Sequence, residues 1–282
     1  MRDCNEKPTV RNERGLVWKA RPRFSSGARP NRYSHLGFAI FALLMNTPKT
    51  LDIVLPCFNP RLGWEQILKD ALANLKTRLP DNALNAVILV NDGSTTGVSD
   101  VVIETLIAAH SEVKLIEYLK NRGKGYAVRA GVKSSEGELQ IYTDIDIPYV
   151  EESIVQFYGL LADGRADVLV ASRGNSYYNS LSAYRRILSK SLRWLNGLLF
   201  GLNIKDTQGG LKGFNANGRD VFLKTKVNRY LFDLEFIQKA SKTNLRMQAV
   251  DVDLKPDIIL PSPSVMVLLK ELNNFVRLLF TR

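Results

Sequence analysis

From Thr50 onward, short apolar runs rich in β-branched residues alternate with longer stretches of helical periodicity, and this alternation limits the architecture more than any other feature. Leu51–Leu55 reads as a buried strand closed by Pro56. Trp64 to about Arg78 reads as a helix with Ile67, Leu68, Ala71, Leu72 and Leu75 on one face. Ala86–Val90 is a second strand, Ser99 is placed to cap a helix running to about Ala109, and Val113–Tyr118 is a third strand. Lys124–Ser134 reads as a helix and Leu139–Thr143 as a fourth strand, followed by a helix near Glu151–Ala162 and a strand at Asp167–Ala171. A β-α-β-α-β-α-β order predicts an α/β fold with a mostly parallel sheet and helices on both faces. Ligands of such sheets bind outside the carboxyl ends of the strands.

Polar and acidic residues collect at those ends. The fourth strand runs into Asp144-Ile145-Asp146 and stops at Pro148. Residues i and i+2 of an extended segment point the same way, so two carboxylates would share one small volume. Their repulsion is relieved by a raised pKa on one of them, by solvation, or by a divalent cation, and open carboxylate pairs suit Mg²⁺ or Mn²⁺ bridging to phosphate. The second strand ends in Asn91-Asp92-Gly93-Ser94, where Asp92 reads either as a turn former or as an acceptor for a base or ribose. Asn121-Arg122-Gly123-Lys124-Gly125 opens the third helix with glycines and cations, the composition of an anion site at a helix N-terminus, without the spacing of a Walker loop.

The formal charge of +11 over 282 residues fits an anionic partner without choosing among nucleotide phosphates, a membrane surface and nucleic acid. The basic residues are not interleaved with aromatics as in a nucleic-acid module. His35 and His110 are isolated, and Cys4 and Cys57 lack zinc-site or disulfide spacing, so a reducing, cytoplasmic setting is expected. Residues 1–46 carry nine Lys/Arg against three acids and no periodicity, which predicts a disordered basic extension with Met45 as an alternative start. The apolar run Leu36–Met45 is well short of the ~20 residues that span a bilayer.

Taken in order, Leu55-Pro56-Cys57-Phe58-Asn59, Val90-Asn91-Asp92-Gly93-Ser94, Asn121–Gly125 and Thr143-Asp144-Ile145-Asp146 resemble the motifs of the inverting, GT-A-fold glycosyltransferases of family 2. Ala171-Ser172-Arg173 and Asp206-Thr207-Gln208-Gly209-Gly210-Leu211-Lys212 resemble the branch that glycosylates polyprenyl (dolichyl) phosphate. The resemblance covers about residues 50 to 255. It implies a UDP- or GDP-sugar donor, with Pro56 and Asn59 lining the base pocket and Asp92 contacting the nucleoside. Asp144 would meet the ribose or metal-bound phosphates and Asp146 would hold Mg²⁺ or Mn²⁺. Lys124 and Arg173 would contact phosphate, and Asp206 and Gln208 would lie near the donor sugar or acceptor. Two departures weaken the inference of sugar and acceptor: Gly209-Gly210 stands where the branch often has Cys-Gly, and Pro148-Tyr149 follows the acidic motif where polar residues are common.

Cleavage of a glycosyl phosphate leaves negative charge on the departing diphosphate, which cations stabilise. A hydroxyl acceptor needs a general base, whereas a phosphate acceptor is already an anion. Asp233 and Glu235 stand where related hydroxyl-using enzymes place acids, and Asp233 is the candidate base; equally, both are acids favoured by a helix N-terminus. Polyprenyl phosphate is the expected acceptor. A saccharide or other hydroxyl acceptor is the alternative, and a non-catalytic nucleotide- or lipid-binding protein is the rival outside enzymes. The catalytic domain is expected over 47–258 and an amphipathic helix over 259–282. Basic amphipathic stretches at Tyr184–Phe200 and Ser264–Phe280 would give a peripheral contact with the cytoplasmic face of a membrane.

Overall fold

Every residue of the first strand, β1 (Leu51–Cys57), is buried, because β1 lies inside the sheet with helices over both faces. The computed structural model describes residues 47–173 and 209–256. Within them, seven strands form one sheet in the order β3-β2-β1-β4-β6-β5-β7. Those strands are β2 (Leu84–Asn91), β3 (Val113–Glu117), β4 (Leu139–Tyr142), β5 (Val168–Arg173), β6 (Lys212–Phe214) and β7 (Met247–Val252). β1 pairs in parallel with β2 and β4, β2 with β3, and β5 with β7. The three-residue β6 runs antiparallel to both β4 and β5, so the expected parallel sheet carries one reversed strand.

The period of two along each strand sends alternate residues to opposite layers. Ile53, Leu55, Val87 and Leu89 pack on one face with α1 (Trp64–Arg78), α2 (Asp100–Ala109) and α4 (Glu151–Ala162). Val54, Ile88 and Val90 pack on the other with α3 (Lys124–Ser134), α5 (Ala216–Phe222) and α6 (Phe232–Ser241). Phe214 and Phe222 stack there at 5.3 Å between ring centroids, and Phe236 meets Phe222 edge-on at 5.1 Å. Ser99 caps α2 as its sequence position predicts, its hydroxyl accepting from the Val102 amide at 3.4 Å.

Two strand ends differ from expectation. Pro56 does not close β1; the strand continues through Cys57, paired with Val90 and Asn91 of β2. The carbonyls of Thr50 and Val54 accept from Leu139 and Thr143 on the β4 side, so by alternation the nitrogen of Pro56 also faces that side. The β1–β4 pairing has already ended at Val54–Tyr142. The missing N–H therefore deprives the ladder of nothing. The second difference is at β4, which ends at Tyr142, so Asp144 and Asp146 lie on a turn and not on an extended segment.

Among the described residues, no helix is long and apolar enough to cross a membrane. Residues 1–46, the stretches Tyr184–Phe200 and Ser264–Phe280, Asp206, Gln208 and the side chain of Arg173 lie outside the described residues.

Candidate active site

The loops at the carboxyl ends of β1, β2 and β3 are tied to one another by side chains that the sequence singles out. Asn59 adopts a left-handed backbone, φ 46°, which asparagine tolerates better than most residues. Its side-chain oxygen accepts from the amides of Thr95 at 2.8 Å and Thr96 at 3.2 Å, while its own amide donates to the Ser94 hydroxyl at 3.0 Å. Asn59 thus binds the loop after β1 to the loop after β2. Cys57, just before it, is buried, and burial pushes its thiol up to about 11 despite a bond with Ser94. It is an inert packing residue.

Asp92 performs the same service one strand further on. Its carboxylate, on a residue only 2% exposed, accepts the amides of Arg122 and Gly123, both at 2.8 Å, and the side-chain amide of Asn121 at 2.9 Å. Gly93, at φ 70°, lets the backbone pass so close that a Cβ would sit 2.7 Å from the nitrogen of Asn121. The amides of Gly125 and Tyr126 go to the carbonyl of Asn228 at 2.8 and 3.3 Å. The anion at the start of α3 is therefore Asp92 itself, favoured there by the helix dipole. What the Asn121–Gly125 loop carries toward the acidic turn is the side chain of Lys124.

That side chain is ion-paired with Asp144 Oδ1. Asp144 begins a turn closed by its own carbonyl accepting the Ile147 amide at 3.0 Å, with Ile147 at φ 39°. Burial and then the charge of Asp144 raise the pKa of Asp146 above the ordinary aspartate value, so the two carboxylates share one electrostatic neighbourhood. Burial works against the charge of Lys124, but Asp144 and Asp233 hold its ammonium well above the usual lysine range. The segment entering β6 closes over the turn. A Cβ on Gly210 would lie 2.8 Å from Asp144 Oδ2, and the Gly210 amide donates to the Tyr149 hydroxyl at 2.7 Å. Tyr149, a departure from the pattern, is thus the residue that seats Gly210.

Behind this turn lies a charge the sequence reading assigned no role. Lys212 is fully buried, its ammonium donating to the Gly209 carbonyl at 2.7 Å and to Asp233 Oδ1 at 3.0 Å, and lying 5.7 Å from the Tyr142 ring centroid. The Tyr142 hydroxyl donates to the same oxygen of Asp233, and burial followed by the charge of Asp233 keeps that phenol protonated. Glu235 faces elsewhere in the hydrogen-bond network: its Oε2 accepts the amides of Lys226 at 2.8 Å and Val227 at 2.7 Å. The signal that could have exposed Lys212 is a lysine flanked by Leu211, Gly213 and Phe214, a buried setting that a lysine enters only with partners.

The donor set suits a hard divalent cation. Two carboxylates share a turn, one of them raised in pKa by burial and then by the charge of the other, and Asp144 already holds a cation in the form of the Lys124 ammonium. Among the described residues no cluster of three or more His, Cys, Asp or Glu assembles. An ion bound by Asp144 and Asp146 would therefore complete its oxygen shell from water and phosphate, as Mg²⁺ and Mn²⁺ sites commonly do.

The sequence profile described as Glycosyl transferase family 2 matches residues 52–227. The chain is 30% identical over 225 residues to the dolichyl-phosphate beta-glucosyltransferase of Drosophila melanogaster, covering 75% of this chain and 69% of the relative. It is 31% identical over 201 residues to the dolichyl-phosphate beta-glucosyltransferase of Homo sapiens, covering 67% of this chain and 62% of the relative. The matches thus span about two thirds of these relatives' length. In fold it is similar to glucosyl-3-phosphoglycerate synthase from Mycobacterium tuberculosis, solved with Mn²⁺, UDP and glucosyl-3-phosphoglycerate, at a TM-score of 0.54 and 18% identity over 89% of this chain and 83% of that one. The expected GT-A architecture is the one observed.

Proposed function

Because this chain belongs to glycosyl transferase family 2, we propose that it transfers a sugar, with inversion, from a UDP- or GDP-sugar to polyprenyl phosphate. The observation that carries the site is the turn bearing Asp144 and Asp146 beside Lys124, at the carboxyl edge of the sheet. The relatives named as dolichyl-phosphate glucosyltransferases support the acceptor.

In this reading Asp144 and Asp146 hold Mg²⁺ or Mn²⁺, which when bound neutralises the departing diphosphate. Lys124 supplies a positive charge of the chain's own next to the same carboxylates, aimed at the phosphate oxygens that gain charge in the transition state. Asp92 fixes the start of α3, from which Lys124 extends, and Asn59 fixes the neighbouring loop, so both shape the nucleoside pocket through the backbone. Gly210 leaves room at Asp144 Oδ2. Arg173, Asp206 and Gln208 are assigned to phosphate, donor sugar and acceptor on the motif alone. A phosphate acceptor attacks as an anion and brings its own nucleophilic charge.

The test is incubation with UDP-glucose, GDP-mannose and other sugar nucleotides, Mn²⁺ and a short polyprenyl phosphate, with the lipid product identified by mass. Formation of a polyprenyl phosphate sugar of inverted configuration is expected. Transfer to saccharides with none to the lipid phosphate would replace this acceptor with the hydroxyl alternative.

A further inference from the structure

Asp233 sits where a catalytic base could stand, yet its surroundings suit another task. Two groups bond its Oδ1, the Tyr142 hydroxyl and the Lys212 ammonium, the latter at 3.0 Å. That oxygen is thus engaged by a buried ammonium and a phenol, both charge-assisted contacts that fix the carboxylate in place. It belongs to a residue 9% exposed in the first turn of α6. That turn packs directly on the start of α3: a Cβ on Gly125 would lie 2.6 Å from the Phe232 Cβ, and the Gly125 amide bonds the Asn228 carbonyl at 2.8 Å. Lys124 and Asp233 are the chain neighbours of that contacting pair, Gly125 and Phe232.

We infer that Asp233 is a positioning residue, a buried counter-charge that aims the Lys124 ammonium at the donor diphosphate, and that Lys212 anchors Asp233 for this purpose. Charges of alternating sign run Asp144, Lys124, Asp233, Lys212 from the acidic turn into the core. Lys212 also fixes the Gly209 carbonyl, and with it the Gly209-Gly210 backbone that abuts Asp144. The inference rests on the proposed donor chemistry and removes the need for a protein base.

The test compares wild type, Asp233→Asn, Lys212→Met, the double variant and Tyr142→Phe. Melting temperature, UDP-glucose or GDP-mannose affinity by calorimetry with Mn²⁺, and transfer rate against pH at saturating donor are measured. Each charge-removing single variant takes the ion-pair partner from one buried charge and should melt lower, while the double variant regains much of that loss. The double variant is expected to bind donor about tenfold more weakly, with its rate at saturating donor within about fivefold of wild type and the pH profile unchanged, as loss of a positioning contact implies. A loss of about 100-fold or more at saturating donor, together with loss of the acid limb, is the signature of a general base and overturns the inference. Wild-type affinity and rate in the double variant also overturn it, because the pair then serves folding alone. Should the double variant not fold, Tyr142→Phe removes one bond without orphaning a charge. It should weaken donor binding about two- to threefold, and unchanged binding counts against the inference. Donor affinity is read without acceptor, so absence of transfer to polyprenyl phosphate would sink the acceptor reading and leave this one standing.

Discussion

The carboxylate of Asp92 accepts the backbone amide of Gly123 at 2.8 Å, and through that contact the end of β2 fixes the start of α3. Asp92→Asn keeps the shape but can no longer accept equally on both oxygens, leaving the Arg122 or Gly123 amide under-satisfied. A loss of about 1–3 kcal/mol is expected. Hydrogen exchange should quicken at residues 122–125 and nucleotide affinity should fall, because Lys124 loses its footing. Unchanged exchange at those amides would show that Asp92 does not organise the loop.

Gly210 tests close approach. Its backbone φ lies outside the left-handed region, so alanine brings little conformational strain there. The added Cβ would nevertheless meet Asp144 Oδ2 at 2.8 Å. Gly210→Ala should therefore keep its melting temperature within a few degrees while metal-dependent transfer falls by about 10- to 100-fold, the scale of a misplaced site group. A transfer rate equal to wild type would remove Gly210 from the site.

The parallel core was legible because its strands are continuous apolar runs and its helices have unambiguous faces; the observed α1, Trp64–Arg78, has the predicted bounds. β6 was not legible as a strand. Three residues centred on glycine and beginning with lysine show no alternation, and only the pairing with β4 and β5 makes them a strand. The acidic turn differs from expectation because the i, i+2 relation holds only for extended backbone, whereas β4 ends at Tyr142 and the Ile147 amide closes a turn onto the Asp144 carbonyl. Asp233 and Glu235 look alike in sequence. Their roles separate only through their partners, Lys212 and the far-off Tyr142 for one and the amides of Lys226 and Val227, in the loop before α6, for the other.

Asp146 should show opposite effects on stability and activity. Burial and Asp144 raise its folded pKa, so the folded protein holds that proton more tightly than the unfolded chain does. The corresponding stability is complete below the unfolded value of about 3.9 and is lost as pH rises through the folded value. At neutral pH, without metal, Asp146→Asn should therefore melt above wild type while metal-dependent transfer is abolished. In wild type, Mn²⁺ affinity should fall on acidification as Asp146 protonates. Thermal scans with and without Mn²⁺ at pH 7 check both signs; full turnover by the variant in chelator would dismiss Asp146 as a ligand.

Asp167 predicts the reverse pH dependence, away from the acidic turn. Its carboxylate accepts the Arg246 amide at 2.9 Å and the Arg246 Nε at 3.1 Å, and the side-chain amide of Asn215 at 2.8 Å. Asn215 in turn caps α5 with bonds to the amides of Asn217 at 3.0 Å and Gly218 at 3.2 Å. One side chain thus joins the starts of β5 and β7 to the cap of α5. The Arg246 bonds and the Asn215 amide hold the Asp167 carboxyl well below the ordinary aspartate range. With the folded pKa depressed, the stability it contributes is present above the unfolded value of about 3.9 and is lost as pH falls toward the folded one. Arg246 is largely exposed and the pair is partly screened, so the expected cost of Asp167→Asn at pH 7 is about 1–3 kcal/mol, the range for hydrogen bonds to a charged group. Denaturant unfolding of both proteins at pH 7 and pH 3 measures this. The gap between wild type and variant should be full at pH 7 and narrower at pH 3; a gap that widens on acidification would mean that the Asp167 carboxylate is not held charged by Arg246.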